Sequence, residues 1–147
     1  MLTFTQRLGV GVEAKVSFTL SLTAEERTRT RYRHQAPDGQ DLYLRLARGI
    51  ILKDGDLLQS ETGDVVIRIA AKPELVLSVT SQEPIDLLRA AYHLGNRHVP
   101  LEITAGYLRL SPDPVLPKML AQLGLQVKEE MVPFEPEIGA YGHSHEV

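Results

Sequence analysis

The 147-residue chain contains no cysteine. That excludes disulfides, thiolate metal sites and cysteine nucleophiles, so any metal must be held by imidazole, carboxylate, backbone or water. Such donors suit nickel, zinc, cobalt or copper(II), and do not suit copper(I) or iron–sulfur clusters. There is no tryptophan and there are only 3 phenylalanines, so the core has to be aliphatic. No apolar run approaches the ~20 residues that span a bilayer, and no membrane partner is expected. The opening residues, MLTFTQRLGV, lack the basic region and long apolar stretch of a secretory signal, which makes the cytoplasm the expected compartment. Glycine-rich phosphate loops, the G-x-S-x-G elbow and the H-E-x-x-H pair are missing as well. With no catalytic constellation in their place, the chain is not expected to be an enzyme.

What is present is unevenly distributed. Up to Lys72 there are 11 Lys/Arg against 9 Asp/Glu, and from Pro73 onward 5 against 10. The basic array RTRTRYRH, Arg27 to His34, is best explained as the wet face of a strand, in which arginines alternate with Thr and Tyr. With the whole chain acidic and no paired aromatics to stack bases, nucleic acid is not an expected partner.

The two halves have different periodicities. In the first, alternation over Glu13 to Leu22, Asp41 to Ala47 and Val65 to Ala71 predicts strands, with turn signals at Pro37 to Gln40, Lys53 to Asp56 and Glu61 to Asp64. No helix is expected before Pro73. In the second half, Glu74 to Thr80 predicts a strand. A helix follows, with Pro84 at its first position and Gly95 as its stop. His98 to Thr104 is expected to be extended, with Val99, Leu101 and Ile103 on one face and His98, Pro100 and Glu102 on the other. A short strand at Tyr107 to Leu110, a helix over Asp113 to Gly124 and a strand at Leu125 to Val132 complete the series. Strand–helix–strand–strand–helix–strand is the ferredoxin-like order. The predicted class is therefore α+β: a β-rich domain over 1–72, a ferredoxin-like βαββαβ domain over 73–137, and a flexible tail over 138–147 that ends in a His-x-His pair.

The chain's 5 histidines are the candidate ligands. His34 reads as part of the arginine array. His93, in the last turn of the predicted helix, is accounted for by the helix dipole. His98 is expected on an exposed surface, because Pro100 cannot donate to a sheet ladder. On residue mechanics alone, an ordinary surface histidine is the simpler account of it. His98 and Glu102 on one face resemble an acid–base pair, without a substrate pocket beside them. His143 and His145 could chelate loosely from the tail or be incidental. One imidazole is a weak site, whereas a two-fold axis through the His98 surface would bring two together, with the tail histidines completing the set. The competing account is a non-catalytic interaction module whose histidines are incidental.

The stretches YHLGNRHVPLEI and PFEPEIGAYGHSHEV resemble the UreE family of urease accessory proteins, and LTAEERTRTRYR with DGQDLYLRLARGIILKDGDLL is similar to that family's first domain. The resemblance covers essentially the whole chain. It implies a partner-binding β-rich domain before a ferredoxin-like metal-binding and dimerisation domain. It also implies a homodimer in which His98 of each copy binds Ni2+ at the interface, assisted by His143 and His145, with Zn2+ or Cu2+ possible in vitro. The implied role is delivery of nickel to the urease apoprotein together with urease accessory proteins, including the GTPase. Two departures from the family pattern limit the expected load. The tail carries two histidines rather than a long polyhistidine run, and the LRLSPDPVL segment after the GNRHVP strand has none, so about one ion per dimer is expected.

Overall fold

The structure, a computed structural model, describes residues 1–138. The chain divides into two compact units, Met1–Lys72 and the part from Pro73 onward.

The first unit is a six-stranded mixed sheet. Its strands are β1 (Leu2–Gly9), β2 (Phe18–Leu22), β3 (Arg31–Gln35), β4 (Asp41–Arg45), β5 (Leu57–Ser60) and β6 (Val66–Ala71). They lie in the order β2-β6-β5-β1-β4-β3, with β1 parallel to β4 and β2 parallel to β6. The expected alternation builds the core. Leu20 and Leu22, Leu42 and Leu44, and Ile67 and Ile69 point inward and pack with Phe4, Leu46, Leu52 and Leu58. Phe4 is the one aromatic side chain in that buried cluster, as the composition required. The predicted turns are present. The Gly39 N–H reaches the Ala36 carbonyl at 2.9 Å across the β3–β4 hairpin. In the Lys53–Asp56 turn, Gly55 takes φ +89°, and buried Asp56 accepts the Lys53 amide at 2.7 Å and Arg7 Nε at 3.1 Å.

Three expectations for this unit are corrected. β2 begins only at Phe18, because the residues before it have no ladder partner beyond the Ser17 amide on the Val66 carbonyl. The central strand β1 was not anticipated, since its alternation LTFTQRLG is diluted by Gln6 and Arg7. A 3-10 turn, Glu26–Thr28, interrupts the arginine array before β3. It is fixed by reciprocal bonds, Glu26 Oε1 accepting the Thr23 amide at 2.9 Å and Thr23 Oγ1 accepting the Glu26 amide at 3.3 Å, which is a capping box. Arg31, Tyr32 and Arg33 are exposed as expected, but Arg27 and His34 are buried.

The second unit is ferredoxin-like. β7 (Pro73–Thr80), α1 (Pro84–Asn96), β8 (Glu102–Ile103), β9 (Leu108–Leu110), α2 (Leu116–Gln122) and β10 (Gln126–Pro133) follow in that order. The sheet order is β10-β7-β9-β8, with every neighbouring pair antiparallel. Leu87, Ala90 and Leu94 of α1 and Leu116 and Leu120 of α2 bury one sheet face against Leu77, Val79, Leu108 and Leu110. Asp113 starts the second helical segment as expected, its Oδ1 accepting the Val115 and Leu116 amides at 2.8 and 2.9 Å, although regular helix begins only at Leu116. The extended stretch expected over His98 to Thr104 shrinks to the two-residue strand β8. Among the described residues, no helix is long and apolar enough to cross a membrane.

Candidate metal centre

The geometry at His98 differs from the expected strand opening. Gly95 does not stop α1, which runs on to Asn96. The turn is made instead by His98, which has φ +59° and is the one non-glycine residue with positive φ among the described residues. The Val99 amide bonds the Leu94 carbonyl at 3.1 Å and the His98 amide bonds the Gly95 carbonyl at 3.0 Å. That is a Schellman motif with His98 at the position just past the cap. The end of α2 repeats it, with Leu125 on Leu120 at 3.1 Å, Gly124 on Ala121 at 3.0 Å, and Gly124 at φ +87°. At one helix end the left-handed residue is glycine, and at the other it is histidine. Left-handed backbone costs a side-chain-bearing residue roughly 1–2 kcal/mol. The packing of Leu94 and Val99 into the core holds His98 there nonetheless.

The His98 side chain is exposed. Among the described residues neither of its ring nitrogens has a hydrogen-bond partner, so both are open to a metal. It is not paired with Glu102, contrary to the acid–base resemblance. Glu102 Oε2 accepts the Tyr107 hydroxyl at 3.1 Å and faces Arg109 Nη1 at 3.5 Å, while its Oε1 accepts the Glu135 amide at 2.9 Å. Leading up to His98, the outer face of α1 carries Ile85, Leu88 and Tyr92, which are 48%, 67% and 66% exposed. They fall at i, i+3 and i+7, a continuous apolar stripe opposite the buried Leu87, Ala90 and Leu94.

The other histidines are separated from this site. His93 lies exposed in the last turn of α1, its ring edge-on to Tyr92 at 5.4 Å. His34 is 6% exposed on β3, tilted against Tyr32 at 4.9 Å, and its Nε2 has no hydrogen-bond partner among the described residues. Burial pushes its pKa below the ordinary imidazole value. His143 and His145 lie outside the described residues. Among the described residues no three His, Asp or Glu side chains converge as a metal-binding group.

On the sheet face turned away from the helices, a polar network went unrecognised in the sequence. Arg109 on β9 donates from Nε to Ser78 Oγ at 3.1 Å, from Nη1 to the Tyr107 hydroxyl at 3.1 Å and from Nη2 to Glu130 Oε2 at 3.3 Å. Ser78 Oγ also donates to Glu130 Oε2 at 3.1 Å, the first cause of a Glu130 pKa held below the usual carboxylate value. The signal available was register. Ser78 stands opposite Arg109, and Arg109 opposite Glu102, so strand pairing alone lines them up. Beyond β10 the chain returns along β8, where the Glu137 amide bonds the Leu101 carbonyl at 2.6 Å.

Comparison with known proteins agrees in both halves. Residues 4–71 match the "UreE urease accessory protein, N-terminal domain" family and residues 74–147 match "UreE urease accessory protein, C-terminal domain". The chain is 61% identical to "Urease accessory protein UreE" of Nostoc punctiforme over 99% of its own length and 98% of the relative's. It is 56% identical to the protein of that name from Microcystis aeruginosa, covering 100% of this chain and 96% of the relative. Against the one from Burkholderia lata it is 47% identical, covering 99% of this chain and 72% of the relative. The α+β architecture, the sheet order and these matches agree, and the chain belongs to the UreE family of urease accessory proteins.

Proposed function

We propose that this protein is a nickel metallochaperone, a homodimer that carries Ni2+ between paired His98 imidazoles and releases it to the urease apoprotein. The observation that carries this reading is the placement of His98. An exposed imidazole occupies a backbone position that the other helix of the same unit gives to glycine. It also stands at the end of a helix whose outer face is an apolar stripe. Burying that stripe against a second copy would bring the two His98 turns toward a common axis, since a two-fold interface uses the same patch twice. His143 and His145 then complete the ligand set, because two imidazoles alone make a labile site. Lability suits a carrier, which must give its ion up. In this reading residues 73–137 bind metal and dimerise, while residues 1–72 dock urease accessory proteins, including the GTPase, in the cytoplasm. Catalysis is no part of the role.

Equilibrium dialysis with nickel, together with mass spectrometry of the intact metal-loaded protein, tests this. The expected result is about one ion per dimer for the wild type and loss of that ion in His98→Ala. A His98→Ala dimer that holds nickel as tightly as the wild type removes the site. Ligating imidazoles must be unprotonated, so nickel affinity should fall as the pH is lowered. Affinity that stays flat to mildly acid pH would assign the ion to carboxylates.

A further inference from the structure

Strand β3 ends its sheet and leaves one side of its ladder open. Its pairing with β4 says which backbone groups face out. The Leu46 amide bonds the Thr30 carbonyl at 2.9 Å, and the Ala36 amide bonds the Gln40 carbonyl at 2.7 Å. Both pairs lie one step beyond the register that sets Arg31 opposite Arg45 and Gln35 opposite Asp41. Directly opposed antiparallel residues alternate between bonded and unbonded pairs. Tyr32 and His34 therefore bond β4, while the N–H and C=O groups of Arg31, Arg33 and Gln35 face the open side. Of the devices that blunt a sheet edge, β3 has neither a proline nor a shift in register; it has charge.

That charge sits on the residues whose backbone is open. Tyr32 and His34 stand opposite Leu44 and Leu42 of the core, so Arg31 and Arg33 point to the other face, and both are exposed. Arg31 meets Arg45 in an unbonded pair, where opposed side chains come closest. Like charges so placed destabilise a sheet. Glu61 offsets Arg45 at 2.6 Å, and Asp41 approaches Arg33 at 3.9 Å. Arg31 has no partner among the described residues. Pairing β3 with a second copy of itself would bring guanidiniums together, whereas a strand bearing carboxylates would neutralise them. The same side chains that repel a like edge select an acidic one.

We propose that the open edge of β3 takes up an extended segment of a partner protein as an added strand, with acidic residues at alternate positions opposite Arg31 and Arg33. This rests on the reading of residues 1–72 as the docking unit and says where in it a partner is held. Main-chain bonds to Arg31, Arg33 and Gln35 fix the register of the segment, and side chains at alternate positions give the specificity. Opposed side chains share a face, so both acids meet a guanidinium, the donor best matched to a carboxylate. The residue between them falls on the other face, beside the Tyr32 ring, which is 41% exposed and backed by Arg29 at 4.7 Å. An apolar side chain suits that position, and the recognised pattern is acid–apolar–acid.

The probe is a fluorescein-labelled peptide with the centre EVEVE, titrated with the full-length protein and followed by anisotropy. EEEVV, of equal composition and charge, and an oligouridylate are the comparisons. The wild type should bind EVEVE about tenfold more tightly than EEEVV. The double substitution Arg31→Glu with Arg33→Glu should lose roughly tenfold or more in affinity for EVEVE, with its circular dichroism unchanged. Hydrogen exchange with EVEVE bound should newly protect the Arg31, Arg33 and Gln35 amides and leave those of Tyr32 and His34 as they were. Equal affinity for EEEVV, wild-type affinity in the double variant, or no added protection at the three amides each overturns the proposal. So does an oligouridylate bound as tightly as EVEVE, which would make the face a nucleic-acid surface. Purified urease accessory proteins that bind the wild type and the double variant alike also overturn it, and leave the docking reading intact. Failure of that reading is a separate result, in which none of them binds the wild type.

Discussion

At the scale of single residues, the sequence singled out His98 but misjudged how its backbone is held. GNRHVPL marks the residue, yet Gly95 looked like the helix stop, and only the backbone shows that the left-handed turn falls on the histidine. Glycine and histidine at equivalent helix ends make a direct comparison. His98→Gly should raise stability by about 1 kcal/mol, because the strained φ becomes ordinary, while nickel binding is lost. Urea unfolding and dialysis on the same variant check both halves of that statement. His34 was legible only as a member of the arginine array. Nothing in RYRH says that the fourth residue turns inward, which follows from β3 pairing with β4 and the alternation that pairing imposes. Its pKa is lowered, first by burial, with Arg29 adding to the effect and Glu26 opposing it. The unfolded chain therefore binds a proton at a pH where the folded chain does not. The stability that His34 contributes is complete above ~6.5 and is lost as pH falls from there through the folded value. Metal-free protein should accordingly weaken in urea below that pH, and His34→Phe should flatten the dependence.

At the scale of elements, the second unit was the more legible. Its helices carry strong local punctuation, Pro84 at the first position of α1, Asp113 before α2 and Gly124 after it. Strand β9 alternates cleanly, with Leu108 and Leu110 buried on either side of Arg109. The edge strand β8 was overextended because Val99 and Leu101 alternate correctly while Pro100 and the His98 turn keep the backbone out of a ladder. β1 was missed although it is central, since polar Gln6 and Arg7 hide its period and the shifts in register around them interrupt its pairing with β5. The network of Arg109, Glu102, Ser78 and Glu130 was invisible for a different reason. Each residue reads as an ordinary polar position, and only the register joins them. The α1 stripe makes its own prediction. In the proposed homodimer, Leu88→Asp should leave the helical content unchanged and convert dimer to monomer in native mass spectrometry, with nickel stoichiometry falling in step, because a charge on a two-fold patch is met twice. In the core the consequence is different. Leu94→Ala, at 0% exposure, should cost about 2–5 kcal/mol in urea unfolding without acting on the interface directly.

At the scale of the whole molecule, the absence of tryptophan and cysteine and the scarcity of phenylalanine told the most. They required aliphatic packing without disulfides, and the buried residues form two mainly aliphatic clusters. The change of periodicity at Pro73 coincides with the division into compact units. Ligand linkage tests the assembly as one object. Free nickel at 100 times its dissociation constant should stabilise the wild-type protein by about 2.7 kcal/mol, and His98→Ala by almost nothing. Urea titrations with and without the ion measure the difference. The turn at the end of α1 has one more consequence, for which ions it admits. The Leu94 and Gly95 carbonyl oxygens beside His98 are already taken by the Arg97, Val99 and His98 amides. Calcium and magnesium, which need several oxygen donors, find those two occupied and an aromatic nitrogen presented in their place. In the proposed carrier role, a turn whose backbone closes on itself would leave the abundant cellular dications little to hold and favour the scarcer ones that prefer nitrogen.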